Sequence, residues 1–242
     1  MKELMMEKFY VFALVLLLSV AAFFGFKFYL LHEIHLVIND EPEGFYSATS
    51  TLEVPIIQRH HENILTANRI SFGTFGKFLK SEGVGTNPIG NASFYILDKA
   101  DGQSKSVFFG NSANNSAVLP VLSADGAVDR LFGSAISSDL ELFDVCHSVD
   151  YANLSIFSSI ANLRKHLFCV PIRNMYFVQC TRFFKYSLSN GIQVIRADSI
   201  EQPVVSLLIF ADGAVISDLR LRGFNTEDLS LLLNTLTVQP KP

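Results

Sequence analysis

Cys146 and His147 stand side by side between Asp144 and Asp150, the residue types from which a thiolate nucleophile, its base and an orienting carboxylate are assembled. Neighbours in a strand point to opposite faces, so adjacency alone does not create the hydrogen-bonded geometry that activation needs. Cys146 is the single catalytic candidate. The other chemistry-bearing groups are His32 and His35, three residues apart, and His60-His61-Glu62. Zinc takes ligands whose lone pairs converge; adjacent His60 and His61 do not face one another, and solvated surface is the reading for both groups, so no metal site is indicated. Gly83-Val84-Gly85 with Gly90 has the composition of a phosphate-binding loop, but no strand precedes it and no Lys closes it, leaving a plain loop and no cofactor.

The segment from Asp139 to Leu236 resembles a degenerate thioredoxin-like domain. The resemblance rests on a strand expected over Leu140 to Val145, Cys146-His147-Ser148-Val149 at the redox-motif position, a following helix, Pro203 before a strand, the Asp212-Gly213 hairpin and a terminal helix. It implies a thiol protein using Cys146, with Val149 in place of the second Cys of the usual pair.

Three cysteines, Cys146, Cys169 and Cys180, raise the question of pairing. Leu167 to Ile172 and Met175 to Phe184 have strand character, and a turn near Arg173-Asn174 would fold them into a hairpin that pairs Cys169 with Cys180. The alternative is three buried thiols. No C-x-x-C occurs, so a zinc knuckle or standard redox pair is not expected.

The compartment follows from the first residues. Phe9 to Phe26 is uninterruptedly apolar and continues past Lys27 to Leu31, with Phe9, Leu18, Phe26 and Leu31 marking its course. As a helix this run covers roughly 34 Å, against a hydrocarbon core of about 30 Å. Lys27 can snorkel to headgroups near one end. Lys2 and Lys8 precede the span, and Glu33, Asp40, Glu41 and Glu43 follow it, which places the short tail in the cytoplasm and the rest outside. A cleaved signal peptide, with Ser19 and Ala21 before the cut, is the competing reading. The expected organisation is a cytoplasmic tail over 1–8, a transmembrane signal-anchor helix over 9–31 and a periplasmic domain over 32–242. In a bacterium that is a single pass through the inner membrane.

Behind the span, the chain reads as an α+β domain with a mixed sheet. Ile34 to Ile38 and Phe45 to Val54 look like strands around a polar Asp40 to Gly44 stalk. Asn63 to Leu79 has partial helical spacing, and Ser93 to Leu97 with Ser106 to Phe109 form a hairpin around Asp101-Gly102. A helix capped at Asp150 or Asn153 presents Leu154, Phe157, Ile160, Ala161 and Leu167, with Arg164, Lys165 and His166 near its C-terminal dipole. Strands are expected over Met175 to Tyr186, Ile192 to Ala197, Val204 to Phe210 and Ala214 to Leu221, and Asn225 caps a closing helix. Ala124-Asp125-Gly126-Ala127-Val128 recurs as Ala211-Asp212-Gly213-Ala214-Val215, so two related lobes, 45–140 and 141–238, are an alternative organisation. Asn91, Asn114 and Asn153 head glycosylation acceptor sequences, and Asn111 to Ser116 suits a partner-facing loop.

Of 242 residues 49% are apolar and 17% charged, and the net charge is −4, which excludes a disordered chain and gives nucleic acid no basic surface. The expectation is a non-enzymatic single-pass membrane protein whose exported domain binds another protein. Its role would be that of an envelope accessory factor or an inhibitor or immunity protein. The alternatives are the thiol protein above, or a small-molecule sensor needing a separate signalling partner.

Overall fold

The computed structural model describes residues 2–39, 49–57, 60–67, 69–80, 93–97, 105–110, 127–133, 135–147, 154–174, 180–199 and 204–239. The first element is a single helix, α1 (Lys2–Asn39), within which Tyr10–Leu36 is long and apolar enough to cross a membrane. The strand expected at Ile34 to Ile38 is a continuation of this helix. No proline interrupts the run from the span onward, and at 27, 30, 31 and 34 the chain repeats at helical spacing.

The exported part is built on an eight-stranded sheet. Its strands are β1 (Ser50–Leu52), β4 (Phe78–Lys80), β5 (Ser93–Leu97), β6 (Ser106–Gly110), β7 (Cys180–Ser187), β8 (Gln193–Ser199), β9 (Val204–Ala211) and β10 (Ala214–Arg222), in the order β1-β7-β8-β9-β10-β6-β5-β4. All neighbours are antiparallel except β1 with β7. A three-stranded sheet joins β2 (Asn63–Ala67), β3 (Ile70–Thr74) and β11 (Thr237–Val238). Helices α2 (Ala127–Phe132), α3 (Asp139–His147), α4 (Ile160–Asn174) and α5 (Thr226–Thr235) complete the α+β domain.

Local chemistry explains the C-terminal half. The β9–β10 hairpin turns on Asp212 and Gly213, both at positive φ (52° and 76°), the conformation a two-residue hairpin matched to strand twist requires. Asn225 caps α5 through a reciprocal capping box: Asp228 N donates to the Asn225 side chain, and Asn225 N donates to the Asp228 carboxylate, each at 2.9 Å.

β9 is buried on both faces, as a central strand must be when helices or sheets cover each side. Leu208 and Phe210 face one core with Val215, Ile195, Ala197, Phe183 and the buried faces of α1, α3 and α4. Leu207 and Ile209 face the other, with Leu219, Leu221, Val107, Phe109, the α5 leucines and Phe72 of β3. A bulge between Val215 and Ser217 on β10 separates the residues that serve the two cores.

Four sequence expectations need correction. Asn63 to Leu79 is not helical: β2, β3 and β4 form there, because Ile70 and Phe72 alternate into the core and Gly73 weakens a helix. Leu140 to Val145 is helix rather than strand, with Leu142, Phe143, Cys146 and His147 on its buried side. Leu167 to Ile172 also continues a helix, α4, despite Pro171 in its last turn. That helix begins at Ile160, capped by Ser159, whose hydroxyl accepts from Asn162 N at 3.1 Å; Phe157 precedes it and faces outward. Asp150 and Asn153, the expected caps, lie outside the described residues, as do Asp101-Gly102, Pro203 and the loops over 81–92 and 111–126. The expected β5–β6 hairpin strands do pair, and the repeated pentapeptide enters helix α2 in its first copy but strand β10 in its second.

Candidate functional site

The cysteine cluster forms where three distant segments meet. α3 is positioned at its N-terminus by Leu140 N, which donates to Gly213 O of the β9–β10 turn at 3.0 Å. Glu141 accepts from Ser137 N and Ser137 Oγ, both at 2.8 Å, and these donors, the backbone one first, hold its carboxyl below the usual range. The α3 face thus fixed places Cys146 against α4, where it is bonded to Cys169 with Cα atoms 5.0 Å apart. Both cysteines are fully buried, and Cys180, also buried, lies in the same core at the start of β7.

The expected Cys169–Cys180 bridge is therefore replaced by Cys146–Cys169. The hairpin that would have brought Cys169 and Cys180 together cannot form, since Cys169 sits inside a helix that runs to Asn174. The same geometry removes the premise for a nucleophile at Cys146. Its sulfur is already bonded and has no access to solvent, whereas a reactive cysteine needs an exposed thiolate. Nor does a strand lead into Cys146, as the thioredoxin-like resemblance requires.

The flanking residues are drawn into packing. The His147 ring stacks on Phe143 at 5.8 Å between centroids and meets Phe183 at 5.0 Å. Asp144 turns outward to Lys185 on β7, 2.5 Å from its ammonium. On α4, His166 is buried with Nδ1 donating to Asn162 O at 2.7 Å; burial, only partly opposed by that bond, lowers its pKa and favours the neutral ring. Lys165 lies over the Phe132 ring and donates to Phe132 O at 3.3 Å, tying α4 to α2.

The histidine pairs are surface groups: His32 and His35 are exposed on α1, and His60 and His61 are exposed before β2. Among the described residues no group of three His, Cys, Asp or Glu could hold a metal ion. The Gly83 to Gly90 loop and the three glycosylation acceptors lie outside the described residues.

Sequence reading missed two features. One is a cavity of about 230 Å³ at the start of α5, lined by Thr74, Phe78, Lys105, Phe224 and Asp228. Lys105 reaches both Asp228 oxygens at 2.8 Å, so the cavity's charges are matched by each other and by the helix cap. That arrangement fastens the β6 entrance to α5.

The other is an open half of the large sheet. Register puts Leu79, Ile96, Phe94, Phe108, Arg220 and Asp218 on the face that carries α3 and α4, yet the strands that enter this core are β7 to β10 only. Leu79 and Ile96 are exposed, and the Arg220 guanidinium covers the Phe108 ring at 5.9 Å. Asp218 lies against Gly110, where a Cβ would stand 2.0 Å from Oδ1, so only glycine fits. Burial raises the Asp218 pKa, with the Arg220 charge acting the other way. The signal in sequence was the alternation Phe94-Tyr95-Ile96 and Val107-Phe108-Phe109, apolar on both faces of strands whose second face has no helix over it.

Comparison of this chain with protein-family models, with curated proteins and with solved structures finds no match in any of the three.

Proposed function

We propose that the chain is a single-span membrane protein whose exported domain acts by binding another protein. The observation that carries this reading is the way α1 ends. Leu30, Leu31 and Ile34 are buried in the same core as the disulfide, while Phe23, Phe24, Phe26, Phe28 and Tyr29 are exposed on the helix. Cleavage after Ala21 would leave those aromatic side chains in water next to the domain, so a retained anchor accounts for the helix better than a removable leader does. The lysines before the span and the acids after it support a cytoplasmic N-terminus and an exported domain, and an oxidising periplasm suits the disulfide. The natural setting is a bacterial inner membrane.

For the partner, the open half-sheet is the best-fitting surface. It combines exposed Leu79 and Ile96 with aromatic Phe94 and Phe108 and one arginine, the mixture that interface centres favour, and among the described residues β4 has a single strand neighbour. An envelope accessory factor, or an inhibitor or immunity protein meeting its target at the membrane, would use such a surface, with the anchor raising encounter frequency. A photo-crosslinker placed at Ile96 in native membranes is expected to trap one discrete protein, and the same probe at Ile64 on β2 is not. Identical adduct patterns at both positions, or none at Ile96, would overturn the proposal.

A further inference from the structure

Charged Lys2, Glu3, Glu7 and Lys8 bar the hydrocarbon from extending below Phe9. From Phe9 to Phe26, beyond which the domain starts to cover α1, the helix rises about 26 Å, a few ångströms short of a hydrocarbon core of about 30 Å. Lys27, Leu30, Leu31 and Ile34, at helical spacing, are buried, while Phe28, Tyr29 and Leu36 on the other side of the same turns are exposed. The bilayer therefore reaches the level at which the domain already grips α1 on one side and leaves aromatic surface on the other.

We infer that the exported domain is seated on the bilayer itself, and that the turn carrying Phe157 is a second lipid contact beside the span. This rests on the anchor reading above. Phe157 is 87% exposed, yet its turn is held in place from both directions. Ser158 N donates to Ser155 O at 2.9 Å, and Ser155 N donates to Ser158 Oγ at 3.1 Å. Leu154 and Ile156 on either side pack against the core that buries Leu30, Leu31 and Ile34. The turn leads directly into α4, the helix that packs on α1. A fixed turn that points a bare phenylalanine outward, in the layer that holds the span, presents the kind of apolar tip that partitions into headgroups and upper acyl chains. The occupant is the lipid surface, reached without any linker because α1 and the domain share a core.

The chain contains no Trp, so single substitutions report cleanly. Phe157→Trp, Phe28→Trp and Ile56→Trp are each placed in the full-length chain in vesicles of phosphatidylethanolamine and phosphatidylglycerol, with and without brominated acyl chains. Ile56 is 92% exposed, and Pro55 O beside it accepts from Asn234 of α5, so it marks the opposite layer. Phe157→Trp is expected to emit to the blue of Ile56→Trp and to be quenched by bromine, as Phe28→Trp is. Emission and quenching equal to those of Ile56→Trp, with Phe28→Trp quenched, would overturn the seat and leave the anchor standing. Release of the chain from vesicles by alkaline carbonate, with Phe28→Trp unquenched, would overturn both.

Discussion

The two sides of the large sheet bury similar apolar surfaces but are closed in different ways. On the far side α5 packs its leucines on β6, β9 and β10, and almost everything that positions it is local: the Asn225 capping box, the Lys105–Asp228 pair and a chain that returns at once to β3 through β11. On the near side the core gathers α1, α3 and α4 from segments more than a hundred residues apart and fastens two of them with a disulfide. One side is held by neighbours in sequence, the other by tertiary contact and a covalent bond. The near side is also where the span enters, so it has to resist whatever force the membrane transmits.

If α1 is a structural part of that core, truncating its buried stripe should damage the domain as much as truncating the far side. Ile34→Ala is expected to cost about 3 kcal/mol, comparable with Leu232→Ala on α5, because both side chains are fully buried. Phe28→Ala, one turn earlier on the open face of α1, should leave domain stability nearly unchanged. Thermal unfolding in detergent micelles measures all three. A stable Ile34→Ala variant would reduce α1 to a tether and erase the difference between the two sides.

The covalent fastening comes next in size. Cys146→Ser opens a loop whose ends are 23 residues apart and is expected to cost about 3 kcal/mol or slightly less, through the freedom returned to the unfolded chain. Cys180→Ser should keep the bond and change stability far less. Counting alkylated thiols after denaturation without reductant separates the pairings: one in the parent and none in Cys180→Ser.

What could be read from the sequence divides along the same line. The far-side elements announce themselves: Asp212-Gly213 between two apolar alternations makes a hairpin, and Asn225 with Asp228 three residues on makes a helix start. The apolar span was equally plain, since length and composition suffice. The near side was misread at each short apolar run. Leu167-Phe168-Cys169-Val170-Pro171-Ile172 has the β-branched and aromatic content of a strand and a proline that argues against helix, yet packing on α1 and α3 makes it the end of α4. Misassigning that run also misassigned the disulfide, because which cysteines can meet depends on where the helices place them. The open half-sheet went unseen for a related reason: alternation shows that a strand has an apolar face, not whether another element covers it.

A smaller effect tests how local the far side is. Asn225→Ala removes the acceptor for Asp228 N and is expected to cost about 1 kcal/mol, with the loss confined to α5 and to β11 beside it. Hydrogen exchange read by mass spectrometry should show faster exchange over Thr226–Val238 and unchanged protection in α3 and α4. Loosening that spread to the disulfide layer would show the two cores to be coupled through β9.

The smallest expected effect lies at the border of the near-side core, where Asp218 occupies the open half-sheet. Its pKa is raised by burial, so the folded chain holds the proton more tightly than the unfolded one. Stability from this group is therefore complete at low pH and falls as pH rises from the unfolded carboxylate range through the folded value, after which the cost of the buried charge is constant. Asp218→Asn keeps the shape against Gly110 and removes the charge. The variant should melt above the parent at neutral pH, and the difference should close on acidification to the ordinary aspartate range. A variant that melts below the parent at neutral pH would mean that the carboxylate is wanted in its charged form, which on a surface offered to a partner would mark Asp218, with Arg220 beside it, as a residue kept for binding at a cost in stability.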